Sequence, residues 1–81
     1  MKLYLISQNQ NQKWDTYDLA VVCAPDEDTA RIIHPNGTLM LKEWESHSWC
    51  ESPEYVSVKY IGEAADNLEI GVVCSSCDTG C

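Results

Sequence analysis

The fold is decided by the stretch Leu19-Ala20-Val21-Val22-Cys23-Ala24, an unbroken apolar run in a chain of 81 residues. A continuous apolar run of this kind is typical of a strand that is buried in a sheet. Pro25 ends the run, because proline cannot join a central ladder. The next residues, Asp26-Glu27-Asp28, put negative charge where the dipole of a helix N-terminus favours it. The sequence therefore predicts a buried strand followed at once by a helix.

The predicted helix is short. Ala30 and Ile33 fall on one of its faces, and Pro35-Asn36-Gly37 stops it after about two to three turns. A helix of this length is marginal on its own. We therefore expect it to pack on a sheet.

Further strands are predicted before and after this unit. The clearest has apolar and polar residues alternating from Val56 to Tyr60. The strand segments are 3–6, 19–24, 55–64 and 70–75, whereas segment 38–53 fits either a strand or a helical turn. Strands joined mostly without helical crossovers favour antiparallel pairing. The predicted fold is α+β, a small antiparallel sheet of about four strands with one short helix packed on one face. It forms a single domain over residues 1–81.

Acidic residues dominate the charge of the chain. There are 13 Asp and Glu against 5 Lys and Arg, which gives a formal net charge of −8 and a pI near 4.3. The basic residues are scattered singly, whereas proteins that grip nucleic-acid phosphates cluster them. This composition argues against direct binding of nucleic acid. It suits a partner with a basic surface, because opposite potentials steer encounter.

The N-terminal segment has neither the apolar length nor the cleavage site of a signal peptide. No stretch approaches the ~20 apolar residues of a membrane span. We therefore expect a cytosolic protein without a membrane partner.

The sharpest local motif is the pair Cys74 and Cys77, with Cys81 four residues further on. A C-x-x-C turn can present two thiolates to zinc, and Cys81 would supply a third ligand. Cys23, Cys50, His34 or His47 would have to supply the fourth. The motif needs the chain to turn after Cys74, because residues three apart on a continuous strand face opposite sides. The alternative is that these are inert thiols, with Cys23 and Cys50 as core residues.

Signatures of catalysis are missing from the sequence. It contains no glycine-rich phosphate loop, no serine elbow and no H-E-x-x-H motif. A thioredoxin-like role for Cys77 would need a following helix, for which the remaining residues leave no room. His34 falls at the predicted end of the helix, where a cation suits the dipole, so we interpret it as structural. We expect a protein that is not an enzyme and needs no cofactor, zinc excepted.

The acidic residues have two interpretations. One is a solubilising surface with helix capping. The other is an acidic face that imitates the phosphates of a nucleic acid, with two tryptophans as the aromatic anchors that interfaces favour. The predicted partner-binding residues are Asp26, Glu27, Asp28, Glu43, Trp44, Glu45, Trp49, Glu51 and Glu54.

Several blocks of the chain resemble a family of small uncharacterised proteins of bacteriophages and prophages. The blocks are Asp15-Thr16-Tyr17-Asp18, 20–27, Ala30-Arg31, His34-Pro35, 58–64 and 71–74. The family's members end in an Ala-Ser-Phe-Asn-Ala-Gly-like tail, whereas this chain has residues 75–81 in its place. The family's tail therefore lacks the C-x-x-C motif that this chain contains. The resemblance implies a phage context but transfers no activity and no site residues.

Small acidic phage proteins include many inhibitors of host defence, among them anti-CRISPR proteins, which is an argument by class. Our hypothesis is a non-enzymatic phage protein that inhibits a host nucleic-acid-handling complex, such as a CRISPR complex, through an acidic surface. It would act in the cytoplasm of the host cell. The alternatives are a zinc-binding module that uses the C-terminal cysteines and a phage accessory or structural protein.

Overall fold

The structure is a computed structural model, and it describes residues 1–11, 16–40, 43–44 and 49–77. It contains four strands, β1 (Lys2–Ser7), β2 (Tyr17–Ala24), β3 (Ser57–Glu63) and β4 (Gly71–Cys77). One helix, α1 (Glu27–Arg31), follows β2, and a 3-10 turn (Pro53–Tyr55) precedes β3. The predicted α+β fold is confirmed.

Strands β1 and β2 form the centre of the sheet. The strand order is β3-β1-β2-β4, and each neighbouring pair is antiparallel. Leu5 lies opposite Val21 across the central pair, and Tyr4 lies opposite Val22. The apolar run that begins at Leu19 is therefore a central strand. Since β3 and β4 occupy opposite edges, the connection of residues 64–70 crosses the end of the sheet.

Each edge strand contains one extra residue. Ile61 is the extra residue of β3, since its two neighbours pair with consecutive residues of β1. Val73 is the extra residue of β4 against β2 for the same reason. Such bulges bend a strand locally and redirect its side chains. Both residues are solvent-exposed, Ile61 at 46% and Val73 at 51%.

The hydrophobic core lies on one side of the sheet. Residues 25–40, 43–44 and 49–56, which we call the covering layer, supply its other half. The sheet contributes Tyr4, Ile6, Ala20, Val22 and Ala24, and the covering layer contributes Ala30, Ile33, Met40, Trp49, Cys50 and Val56. This alternation along β1 and β2 is the period of two expected of a strand with one face in a core.

Helix α1 is shorter than predicted. Its N-cap is Asp26, whose carboxylate accepts a hydrogen bond from the Thr29 N–H at 2.8 Å. The helix ends at Arg31 after five residues, and Ile33 then forms an isolated antiparallel bridge with Leu39. The prediction of two to three turns was wrong, because Ile33 is buried as part of this bridge rather than as part of the helix.

The turn after the helix depends on a glycine. The Gly37 N–H donates to the His34 carbonyl at 2.8 Å, and the His34 N–H donates to the Thr38 carbonyl at 2.7 Å. Gly37 has a φ of 101°, a left-handed conformation that disfavours residues with a Cβ. This closed turn leads the chain back over the core. Helices in the described part of the chain are too short and too polar to cross a membrane.

Candidate functional site

Exposed carboxylates are concentrated in the covering layer. Three lie at the start of α1 and the others lie in the segment that ends in the 3-10 turn. The set, which we call the acidic face, is Asp26, Glu27, Asp28, Glu43, Glu51 and Glu54, and all six residues are exposed. The segments that hold them all pack on the same side of the sheet.

Arg31 joins the two parts of the acidic face. Its Nη1 donates to the Val56 carbonyl at 2.6 Å, which ties the end of α1 to the residue after the 3-10 turn. Its Nη2 lies 3.5 Å from Oε1 of Glu27, one turn back on the helix. A partly exposed pair at this separation contributes little to stability. This is the one ion pair within the described parts of the chain, so most carboxylates of the acidic face keep their charge uncompensated.

Asp26 is held in its ionised form. Hydrogen bonds from the Thr29 side chain and backbone lower the pKa of Asp26, and the Lys2 ammonium lowers it further. Hydrogen bonds to a carboxylate favour its charged form. The first carboxylate of the acidic face is therefore negative throughout the neutral range, with a fixed orientation.

A groove borders the helical part of the acidic face. It has a volume of about 510 Å³ and is lined by Lys2, Tyr4, Glu27, Tyr60 and Glu63. The Tyr60 hydroxyl donates to Oε2 of Glu63 at 2.7 Å, and its ring meets that of Tyr4 edge-on at 6.0 Å. The hydrogen bond to Glu63 raises the pKa of Tyr60. An aromatic ring beside carboxylates is a surface suited to a guanidinium or ammonium group.

The sequence did not predict this groove. Residues three apart on a regular strand face opposite sides, so nothing pairs Tyr60 with Glu63 by spacing alone. The bulge at Ile61 changes the alternation between them. A bulge has no dependable signature in a single sequence, although Gly62 is the kind of residue found beside one.

The second part of the acidic face is anchored to the loop after β1. The Glu51 N–H donates to Oε1 of Gln10 at 2.9 Å, and the Gln10 amide donates to the Glu51 carboxylate at 3.3 Å. The Ser52 hydroxyl donates to Glu54 at 3.3 Å. Trp44 is half-buried, with its indole N–H donating to the Cys50 carbonyl at 2.7 Å. These bonds hold two carboxylates and one partly exposed aromatic side chain in a defined arrangement.

The position of Trp49 contradicts its prediction as a partner-binding residue. It is fully buried in the core, with its ring 6.3 Å from that of His34, so it does not offer an aromatic anchor to a partner. The acidic residues Glu45 and Glu51 on either side of it in sequence favoured a place on the acidic face, but tertiary packing places Trp49 in the core. The Trp49 indole N–H is buried and has no acceptor among the described residues. Glu45 of the predicted set lies outside the described residues.

His34 is structural in a different way from the one predicted. It is fully buried rather than exposed at a helix end. Its Nδ1 accepts a hydrogen bond from the Asn36 N–H at 3.0 Å, and its ring meets Tyr17 edge-on at 5.8 Å. The imidazole therefore supports the closed turn after α1 from inside the core.

The cysteines fall into two environments. Cys23 and Cys50 are buried, and Cys74 is exposed. Cys50 belongs to the core cluster, which confirms its interpretation as a core residue, whereas Cys23 is buried on the opposite side of the sheet. Burial raises the pKa of Cys50 to about 11, and its thiol donates to the Ser52 carbonyl at 3.3 Å. This cysteine is a neutral thiol at neutral pH, which does not suit a zinc ligand.

The predicted zinc site required a turn after Cys74. Instead, β4 continues through Cys77, so the backbone has the extended geometry that separates residues three apart. Cys81 and His47 lie outside the described residues. Among the described ones, no three side chains of the metal-binding types come together. The condition for the zinc interpretation is therefore unmet.

Comparisons of the chain with protein-family models, with curated proteins and with solved structures find no match.

Proposed function

We propose that this chain is a non-enzymatic binding protein of a bacteriophage or prophage that uses its acidic face to occupy a basic surface. The surface would belong to a host nucleic-acid-handling complex, such as a CRISPR defence complex, in the host cytoplasm. The observation that carries the proposal is the acidic face itself, six exposed carboxylates on one layer with little compensation by cations.

The size of the chain agrees with the proposal. Duplex DNA carries one charge per ~1.7 Å of axis, and a protein that binds it holds Lys and Arg at matching positions. The longest dimension of the chain is 35 Å, which corresponds to roughly ten base pairs at ~3.4 Å each. An acidic face on a chain of this size can compete with nucleic acid for a basic groove, because both ligands gain from the same positive potential.

Rigidity of the acidic face also supports binding. Asp26 is fixed as the helix cap and Glu51 is fixed by Gln10. Glu63, in the groove that borders the acidic face, is fixed by Tyr60. Preorganised groups lose less conformational entropy when they meet a partner. The groove beside Tyr60 offers one place where an arginine of the partner could insert.

Affinity capture from lysate of the host tests the proposal with matched variants. The face variant replaces all six carboxylates of the acidic face with their amides, at Asp26, Glu27, Asp28, Glu43, Glu51 and Glu54. Asparagine still caps α1, so the fold should persist. The control variant neutralises Asp66 and Glu69, two exposed carboxylates in the connection between β3 and β4.

We expect the wild type and the control to retain a basic nucleic-acid-binding complex that the face variant does not retain. Expression of the wild type should also lower host defence activity. Capture of no such complex, with defence unchanged, would contradict the proposal. Equal capture by all three proteins would instead favour an accessory or structural role in which acidity serves solubility.

A further inference from the structure

The side of the sheet that faces away from the core is apolar and, among the described residues, only partly covered. Five side chains of the two central strands point to this side, which we call the open face. They are Leu3, Leu5, Leu19, Val21 and Cys23. None of them belongs to the core cluster. Leu3, Leu5, Leu19 and Val21 remain partly exposed, whereas Cys23, near one end of this side, is buried.

This composition is unusual for a solvated sheet face. Antiparallel sheets with one wet face alternate apolar and polar residues, whereas unbroken apolar runs occur in strands that are covered on both sides. The run that begins at Leu19 is of the second kind, yet the covering layer packs on one side only. Exposed Ile61 and Val73 at the two bulges add further apolar area on the edge strands.

The paired positions of the open face carry no carboxylate. Its central row, read across the register, consists of Lys59, Leu5, Val21 and Cys74. The neighbouring rows contribute Gly62, Leu3, Cys23 and Gly71 on one side, and Ser57, Ser7 and Leu19 on the other. Within these register positions, the one formal charge is the positive charge of Lys59.

We propose that the open face is where two copies of this chain pack, sheet against sheet, as a symmetric dimer. Copies that carry a net charge of −8 repel each other through most of their surfaces. The open face is the surface on which that repulsion is smallest and apolar burial is greatest. Identical patches related by a two-fold axis are self-complementary in principle, and twisted sheets pack face to face at about 10 Å.

The area of the open face sets the strength of this dimer. Four strands spaced ~4.8 Å apart and six residues at ~3.3 Å cover roughly 400 Å² on each copy. A standard interface buries about 800 Å² on each partner. The dimer is therefore weak and depends on protein concentration. Its formation turns both acidic faces outward in opposite directions, so that the dimer could engage two basic surfaces at once.

Sedimentation velocity over a wide concentration range, with reductant present to keep Cys74 from forming disulfides, tests this proposal. We expect the mass to rise from 9.1 kDa towards twice that value as concentration increases. Added salt should strengthen the dimer, because it screens the repulsion between the copies. Binding through the acidic face would weaken with salt, so the two kinds of association are distinguishable.

Matched variants locate the interface. Leu5→Glu/Val21→Glu adds two carboxylates to the open face and should raise the dimer dissociation constant by more than about tenfold, because unpaired charges would be buried. Leu39→Glu/Tyr55→Glu makes the same change at exposed apolar positions of the covering layer and should leave dimerisation intact. Far-UV circular dichroism checks that both variants fold.

A dilution series of the wild type by NMR needs no variant. Amide shifts that depend on concentration should map to β1 and β2 and not to α1. A chain that stays monomeric at millimolar concentration would overturn the proposal and leave the open face to another partner. Concentration-dependent shifts confined to the covering layer, or an unchanged dimer in the Leu5→Glu/Val21→Glu variant, would overturn it as well.

Discussion

Replacing Trp49 by phenylalanine separates two effects of its burial on the free energy of unfolding. These are the gain from the apolar contacts of the indole and the cost of its unpaired N–H. The indole is fully buried in the core, but no described residue offers its N–H an acceptor. An unsatisfied buried donor costs about 1–3 kcal/mol, and Trp49→Phe removes it. The smaller ring loses apolar contacts worth about 1–2 kcal/mol at ~0.8 kcal/mol for each buried methylene equivalent. The two changes nearly cancel, so we expect Trp49→Phe to lie within about 1 kcal/mol of the wild type.

Trp49→Ala should behave very differently, because it leaves a cavity. Core Trp→Ala substitutions cost about 3–5 kcal/mol. A domain of this size is stable by only about 4–12 kcal/mol, so the alanine variant should be partly unfolded or close to it. Trp44→Phe is the matched control, since its N–H donates to the Cys50 carbonyl at 2.7 Å. Its loss leaves that carbonyl unpaired and should cost about 1–2 kcal/mol.

Urea unfolding followed by far-UV circular dichroism measures all three variants without relying on tryptophan emission. The slope of the free energy with urea should stay constant if only stability changes. A Trp49→Phe variant that loses as much free energy of unfolding as Trp49→Ala would contradict this expectation. That result would mean that the indole N–H has an acceptor, or that its packing tolerates no loss of volume.

Three further predictions follow from the pKa shifts. Asp26→Ala should lower the thermal midpoint by several degrees, and Asp26→Asn should keep most of the wild-type midpoint because asparagine also caps a helix. Because the pKa of Asp26 is lowered in the folded protein, its ionisation stabilises the fold above the ordinary pKa of 3.8, and this stabilisation is lost as the pH falls below that value. Acid titration followed by circular dichroism measures the loss. In an ultraviolet titration, Tyr60 should ionise at a higher pH than an ordinary tyrosine, and Glu63→Gln should lower its pKa again. Since the pKa of Tyr60 is raised in the folded protein, the stability that its protonated hydroxyl contributes is lost as the pH rises through that pKa. Iodoacetamide should modify the exposed Cys74 quickly and the buried Cys50 only after unfolding. Peptide mass mapping measures the two rates, and equal rates would contradict the burial of Cys50.

Sequence patterns predicted the sheet well, because local alternation and apolar runs directly reflect which strands are buried. The run that begins at Leu19 became a central strand, and the alternation after Val56 became an edge strand. The helix was predicted too long, because propensity and stop signals cannot reveal that Ile33 bridges to Leu39. The residues from Ile33 to Leu39 follow neither a helical nor a strand period, so their pattern gives no sign of this bridge.

The candidate site was predictable only in part. Local charge identified the exposed carboxylates around α1 and the 3-10 turn, because charged side chains are rarely buried. The same local reasoning failed for Trp49, which lies between charged segments but packs inward. It also missed the groove at Tyr60, which depends on a bulge, and it could not tell which side of the central strands would be covered.

Displacement of nucleic acid tests the central claim most directly. The measurement is the fraction of labelled nucleic acid that a captured host complex retains as this protein is added. We predict that the wild type and the Asp66→Asn/Glu69→Gln control release the nucleic acid, more weakly at higher salt, and that the variant with a neutralised acidic face does not. Nucleic acid that stays bound while the protein also binds, or release that is equal with the face variant, would contradict the account.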